Sequence, residues 1–239
     1  MIVQRNTCEV NSIKLLTFRK EGFIKMLCKV REPVSGFTHL GGAILSVVGT
    51  VFLVIYAISI GTPLHVVSYS IFGASLILLY TASSLYHLLP VSPRATSVLR
   101  KIDHMMIFVL IAGTYTPICL INLKGSLGLG LLIAIWSLAI LGMVLKLVWF
   151  NAPRWLYTAF YVVMGWLVIV AIFPMTRTIP PAGMWLLFAG GISYTVGAII
   201  YGTKWPRRNS KVFGFHEIFH IFIIIGSIFH YFFILKYAI

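Results

Sequence analysis

Acidic residues are scarce in this chain, which carries five aspartates and glutamates against 19 lysines and arginines in 239 residues. Charged residues of either sign make up only 10% of it, whereas soluble domains carry about 25%. The three cysteines, Cys8, Cys28 and Cys119, include no C-x-x-C pair, which excludes a disulfide framework. The first 36 residues hold no compact apolar run closed by small residues. A cleaved leader is therefore not expected, and the first membrane helix should direct insertion itself. What the chain has in abundance is apolar side chains, 59% of the total. A net charge of +14 would suggest nucleic acid for a soluble protein. In so apolar a chain it points instead to membrane-flanking loops, with the lipid bilayer as partner and no nucleic acid.

Seven segments reach the roughly 20 apolar residues that a membrane helix needs. They run over about 37–60, 64–89, 100–121, 127–149, 155–174, 182–202 and 212–236. Breaker residues separate them, among them Gly61-Thr62-Pro63, Pro90 to Pro93, Asn151-Ala152-Pro153 and Pro180-Pro181. The expected fold is all-α, a seven-transmembrane helix bundle occupying residues 37–239. Asn209 or Ser210 could cap the last helix. Gly41, Gly42, Gly190 and Gly191 would let helices approach closely, and Pro117 should kink the third helix. Of the basic residues, only Lys124, Arg177 and Lys236 fall on one side of the seven crossings, and all others fall on the opposite side. That asymmetry predicts a cytoplasmic N-terminus and an outer C-terminus. Residues 1–36 form a basic cytoplasmic tail, either an interfacial amphipathic helix or a solvated segment.

Charges inside spans are costly and tend to be functional. Glu9, Glu21 and Glu32 fall in the tail, leaving Asp103 and Glu217 within helices. The alternating direction of the spans puts Ser83 and His87 (end of the second), Asp103 (start of the third) and His216 and His220 (start of the seventh) at one depth. His216 and His220 are separated by about 40° around their helix and share a face. Three neutral imidazoles suit Zn2+ and leave a fourth position for a water that the ion would acidify. Asp103 could manage that water's proton, and Ser83 could donate to developing negative charge. His39 could reach the site but reads first as an interfacial cap, His65 as an outer-interface residue, and His104 as turned about 100° from Asp103, so that both cannot face the cavity squarely. His230 lies about 21 Å of helix rise beyond His216, too far to share an ion. The aromatic residues are expected mostly against lipid or neighbouring helices.

His216-Glu217-x-x-His220 also spells the H-E-x-x-H of zinc proteases. An intramembrane protease needs a third ligand from a later helix, and none follows. Glu217 could border the cavity or pair with Arg207, Arg208 or Lys211. The segments REPVSGFTHLGG, SSLYHLLP, KIDHMMIFVLIAGTYTP, YVVMGW and FGFHEIFHIFIIIGSIFHY resemble the bacterial hemolysin III proteins. Those are akin to the progestin and adiponectin receptors (PAQR) and, more distantly, to alkaline ceramidases. The resemblance covers about Arg31 to Tyr237. It implies seven helices with a cytoplasmic N-terminus in the bacterial plasma membrane. It also implies a zinc site on that side, built from S-x-x-x-H, an Asp and H-x-x-x-H, which Ser83/His87, Asp103 and His216/His220 match. Relatives with established chemistry hydrolyse the amide of ceramide-like lipids. A zinc-dependent lipid hydrolase is therefore one expectation, while a metal-stabilised sensor of membrane homeostasis or a cytolytic pore is the other.

Overall fold

A computed structural model describes residues 30–123, 125–206 and 213–238. The expected tail helix, Lys124, Arg207, Arg208, Asn209, Ser210 and Lys211 lie outside the described residues. Seven helical spans are long and apolar enough to cross a membrane, and among the described residues there is no strand. The first span is Pro33–Ile60, the second Pro63–Leu88, and the third Pro93–Pro117 continuing into a π-helical turn, Ile118–Asn122. The fourth is Ser126–Val148. The fifth is built of Arg154–Trp166, a 3-10 turn Leu167–Ala171 and Ile172–Thr178, and is followed by Pro181–Thr203 and Phe215–Tyr237.

Four spans start with a proline in their first turn. Proline is at ease there, because its missing N–H would have had no helical partner. This moves the third span's start from the expected Arg100 back to Pro93, where Ser92 Oγ accepts the Ala95 N–H at 3.3 Å. The first span likewise begins at Pro33 rather than residue 37. The last begins at Phe215 behind Gly214, so the cap expected from Asn209 or Ser210 falls too early in the chain.

Prolines also set the interruptions. After Pro117 the α-helical ladder gives way to the π turn, the usual response to a missing donor. In the fifth span Pro174 cannot donate to Val170, and the turn before it tightens to 3-10 geometry. At the start of that turn, Tyr115 of the third span is inserted into the helical ladder. Its hydroxyl donates to the carbonyls of Gly165 (2.7 Å) and Met164 (3.0 Å) and accepts the Val168 N–H (2.7 Å). Within hydrocarbon such groups must find protein partners.

The spans form a ring. The first packs on the second and the seventh, the seventh on the sixth, the sixth on the fifth, and the second on the third, which also meets the fourth and fifth. In the third span 61% of the most apolar stretch is buried, against 28% in the first, fourth and fifth, so the third is the central element. The outer faces carry apolar side chains such as Leu45, Val48, Val148 and Phe173, as lipid requires. Of the four glycines expected at contacts, Gly42 faces the Tyr80 ring and Gly190 the His230 ring, whereas Gly41 and Gly191 face open space.

Candidate metal centre

The second span ends in Ser83-Ser84-Leu85-Tyr86-His87, and the seventh begins at Phe215. Their opposite directions bring the end of one beside the start of the other. His87, His216 and His220 converge there, each offering a ring nitrogen within 4.8 Å of the other two. The Nε2 atoms of His87 and His216 are 3.4 Å apart. Three nitrogens at about 2.05 Å from one tetrahedral ion would stand about 3.3 Å apart, so the spacing suits a metal. His87 is fully buried and His220 is 2% exposed. The Nδ1 of His220 has no hydrogen-bond partner among the described residues. This three-histidine cluster could hold a metal ion.

Ser83 and Asp103 open onto the same cavity as His216 and His220. Both are buried, and the Ser83 side chain interacts with the Asp103 carboxyl. The cavity offers about 180 Å³ to water centres. His104 lines it as well, so the rotation of about 100° between Asp103 and His104 does not keep either from the cavity. Aromatic side chains also line it, among them Tyr161, Trp166, Tyr194 and Tyr201, so they are not confined to lipid and helix contacts. His230 also lines it, donating from Nε2 to the Leu187 carbonyl (3.1 Å), and takes no part in the cluster.

His39 is not an interfacial cap. It lies two turns into the first span, is 3% exposed, and stacks on His220 with ring centroids 3.7 Å apart. Glu217 does not border the cavity either. Its Oε1 accepts from Ser35 Oγ (2.9 Å) and its Oε2 from the Gly214 N–H (2.7 Å). It caps its own helix and ties the seventh span to the first, a structural duty unlike that of a protease base.

One residue escaped the sequence reading. Glu32, assigned there to the tail, places Oε2 2.6 Å from His87 Nδ1. The backbone fixes it in place, since the Glu32 N–H donates to the His87 carbonyl (3.2 Å) and Arg31 donates to the Tyr86 carbonyl (3.2 Å). These contacts satisfy carbonyls left open at the end of the second span. The hydrogen bond with His87 holds the Glu32 carboxyl below its usual range, against the opposing effect of partial burial. An ionised Glu32 keeps the His87 proton on Nδ1 and turns the Nε2 lone pair toward the cluster. The available signal was E-P directly before the first apolar run, a helix-start pattern that does not reveal a partner 55 residues away.

Residues 28–231 match the family model described as "Haemolysin-III related". The "Hemolysin-3 homolog" of Bacillus subtilis (strain 168) is 42% identical over 208 residues, covering 87% of this chain and 94% of that one. "Hemolysin-3" of Bacillus cereus is 40% identical over 220 residues, covering 92% and 97%. A "Monocyte to macrophage differentiation factor" of Homo sapiens is 25% identical over 175 residues, covering 70% and 68%.

Proposed function

The chain belongs to the haemolysin-III-related family of multi-pass membrane proteins, and from that premise we propose that it is a zinc-dependent hydrolase of a membrane lipid. The observation that carries this reading is the shared cavity, in which His216 and His220 of a convergent three-histidine cluster meet a buried carboxyl and a hydroxyl inside a lipid-facing bundle. His87, His216 and His220 are the metal ligands. Zinc bound there would supply Lewis acidity and an acidified water. Asp103 takes and returns the proton. Ser83 donates to the Asp103 carboxylate; once that carboxyl holds the proton and donates in turn to Ser83, the hydroxyl proton is released to charge developing on the substrate's carbonyl oxygen. Tyr161 and Trp166, with the apolar residues around them, keep bulk water from the chain of the lipid. The basic end of the bundle, where the cluster lies, faces the cytoplasm, and the bond cleaved is an amide or ester.

Purified protein incubated with detergent-dispersed bacterial lipids is expected to release fatty acid. Release should stop after chelation and return when zinc is added back. No release from any lipid by a protein holding one zinc per chain would overturn the hydrolase reading. Glu32 acts through His87. Glu32→Gln is expected to weaken metal affinity by about 10- to 100-fold, as for other carboxylate–histidine–metal arrangements. Competition against a chelator measures this, and an unchanged affinity would mean that Glu32 only anchors the chain.

A further inference from the structure

The histidine cluster leaves unexplained the cations that share its cavity. Arg100, Lys146 and Arg154 come from the third, fourth and fifth spans and line the same space as Asp103. Lys146 is 4% exposed. Its Nζ lies 3.7 Å from the Tyr157 ring centroid and 5.1 Å from that of Phe150. Arg100 lies over Phe150 at 5.2 Å. Arg154 lies over Tyr201 at 4.6 Å and gives one N–H to the Tyr201 carbonyl at 3.4 Å. Aromatic faces position these cations, but a ring offers no oxygen to accept their remaining N–H groups.

Carboxylates are too few to match them. Among the described residues the one ion pair within 4.0 Å joins His87 and Glu32. Glu217 is occupied by Ser35 and the Gly214 amide. Asp103 alone shares the cavity with the three cations. Of the three, Lys146 is buried, Arg154 half-buried and Arg100 exposed, and a buried cation such as Lys146 without a carboxylate within 4.0 Å is expensive, more so within a membrane. Away from this basic rim the lining turns apolar, through Ile107, Ile111, Val162 and Trp166. One end of the cavity therefore lacks an anion and the other suits a hydrocarbon chain.

We propose that the cavity takes an amphiphile with an anionic head, a phosphate or carboxylate. Its charge is seated among Arg100, Lys146 and Arg154, and its chain runs along Ile107, Ile111, Val162 and Trp166. The proposal rests on the reading that this cavity accepts a lipid, and adds the class of headgroup. A neutral lipid would leave the cations as they are, so the rim discriminates by charge.

Thermal unfolding of the zinc-loaded protein in an uncharged detergent tests it, with phosphatidylglycerol, phosphatidylcholine or inorganic phosphate added. Phosphatidylglycerol should raise the unfolding temperature and the other two should not. Truncating one partner of a buried charged contact weakens binding by more than about tenfold. Lys146→Gln should therefore need more than about tenfold more phosphatidylglycerol for the same shift, while keeping one zinc per chain. Lys146→Arg preserves the charge and should keep the response, and Arg154→Gln serves if Lys146→Gln does not fold. Equal shifts with phosphatidylcholine, or an unaltered response in both glutamine variants, would overturn the proposal. An equal shift with inorganic phosphate would assign the cations to a free anion and overturn the lipid assignment. Charge-selective binding without fatty-acid release would sink the hydrolase reading alone.

Discussion

His220→Ala protein, purified in detergent and freed of loosely bound ions, is expected to hold almost no zinc, against an expected one per chain in the parent. His220 is the most enclosed of the paired histidines on the seventh span, and its ring is wedged between those of His39 and His87. Its removal takes away one of the three ligands that converge among the described residues. His39 stacks on the same ring but stands outside that group of converging nitrogens. Binding energies for structural zinc are of order 10–16 kcal/mol, shared over few ligands, so affinity should fall by at least about 100-fold. Metal analysis per mole of protein reads this directly. His104→Ala is the control, because His104 lines the cavity without joining the cluster. Full zinc content in His220→Ala would reject the ligand assignment.

Asp103→Asn is expected to keep its zinc and lose fatty-acid release by about 10²- to 10⁴-fold, the usual contribution of a positioned proton carrier. Asparagine preserves the shape and the approach to Ser83 but cannot take up a proton. Burial matters here, since at 8% exposure bulk water cannot readily replace the carboxyl. The loss should fall on kcat with KM little changed, because Asp103 is not asked to bind the lipid's chain. Turnover at the parental rate in Asp103→Asn would remove Asp103 from the chemistry while leaving the metal cluster intact.

The spans and the histidine cluster were legible because both follow from periodic rules. Apolar length sets the crossings, alternating direction sets which ends meet, and an i, i+4 spacing sets a shared face. That was enough to bring Ser83, Asp103, His216 and His220 to one cavity from three distant segments, with His87 completing the histidine cluster beside it. Glu32, His39 and Glu217 were misplaced for a different reason. Each lies at or near a helix start, and each has a decisive partner on another span, which for Glu217 is added to the cap it gives its own helix. Glu32 meets His87, His39 meets His220, and Ser35 reaches Glu217 across 182 residues. Contacts of this kind depend on helix rotation within the bundle, which periodicity along a single segment does not specify. The basic rim was hidden for the same reason, as Arg100, Lys146 and Arg154 read individually as loop charges until the bundle turned them toward one space.

The fifth crossing is fastened partway along its length by the Tyr115 phenol, with the Trp166 indole donating to Thr195 of the sixth beside it. Tyr115 is inserted where the Val168 N–H would otherwise meet the Met164 carbonyl, holding two carbonyls and one amide of a different helix. That crossing is therefore two shorter rods joined by a borrowed oxygen, and the joint at Gly165 and Trp166 opens directly onto the cavity. The wall on this side is articulated, whereas the unbroken first and second crossings opposite form a stiff backboard. The seam in that wall sits where Tyr115, Gly165 and Trp166 all border the enclosed space.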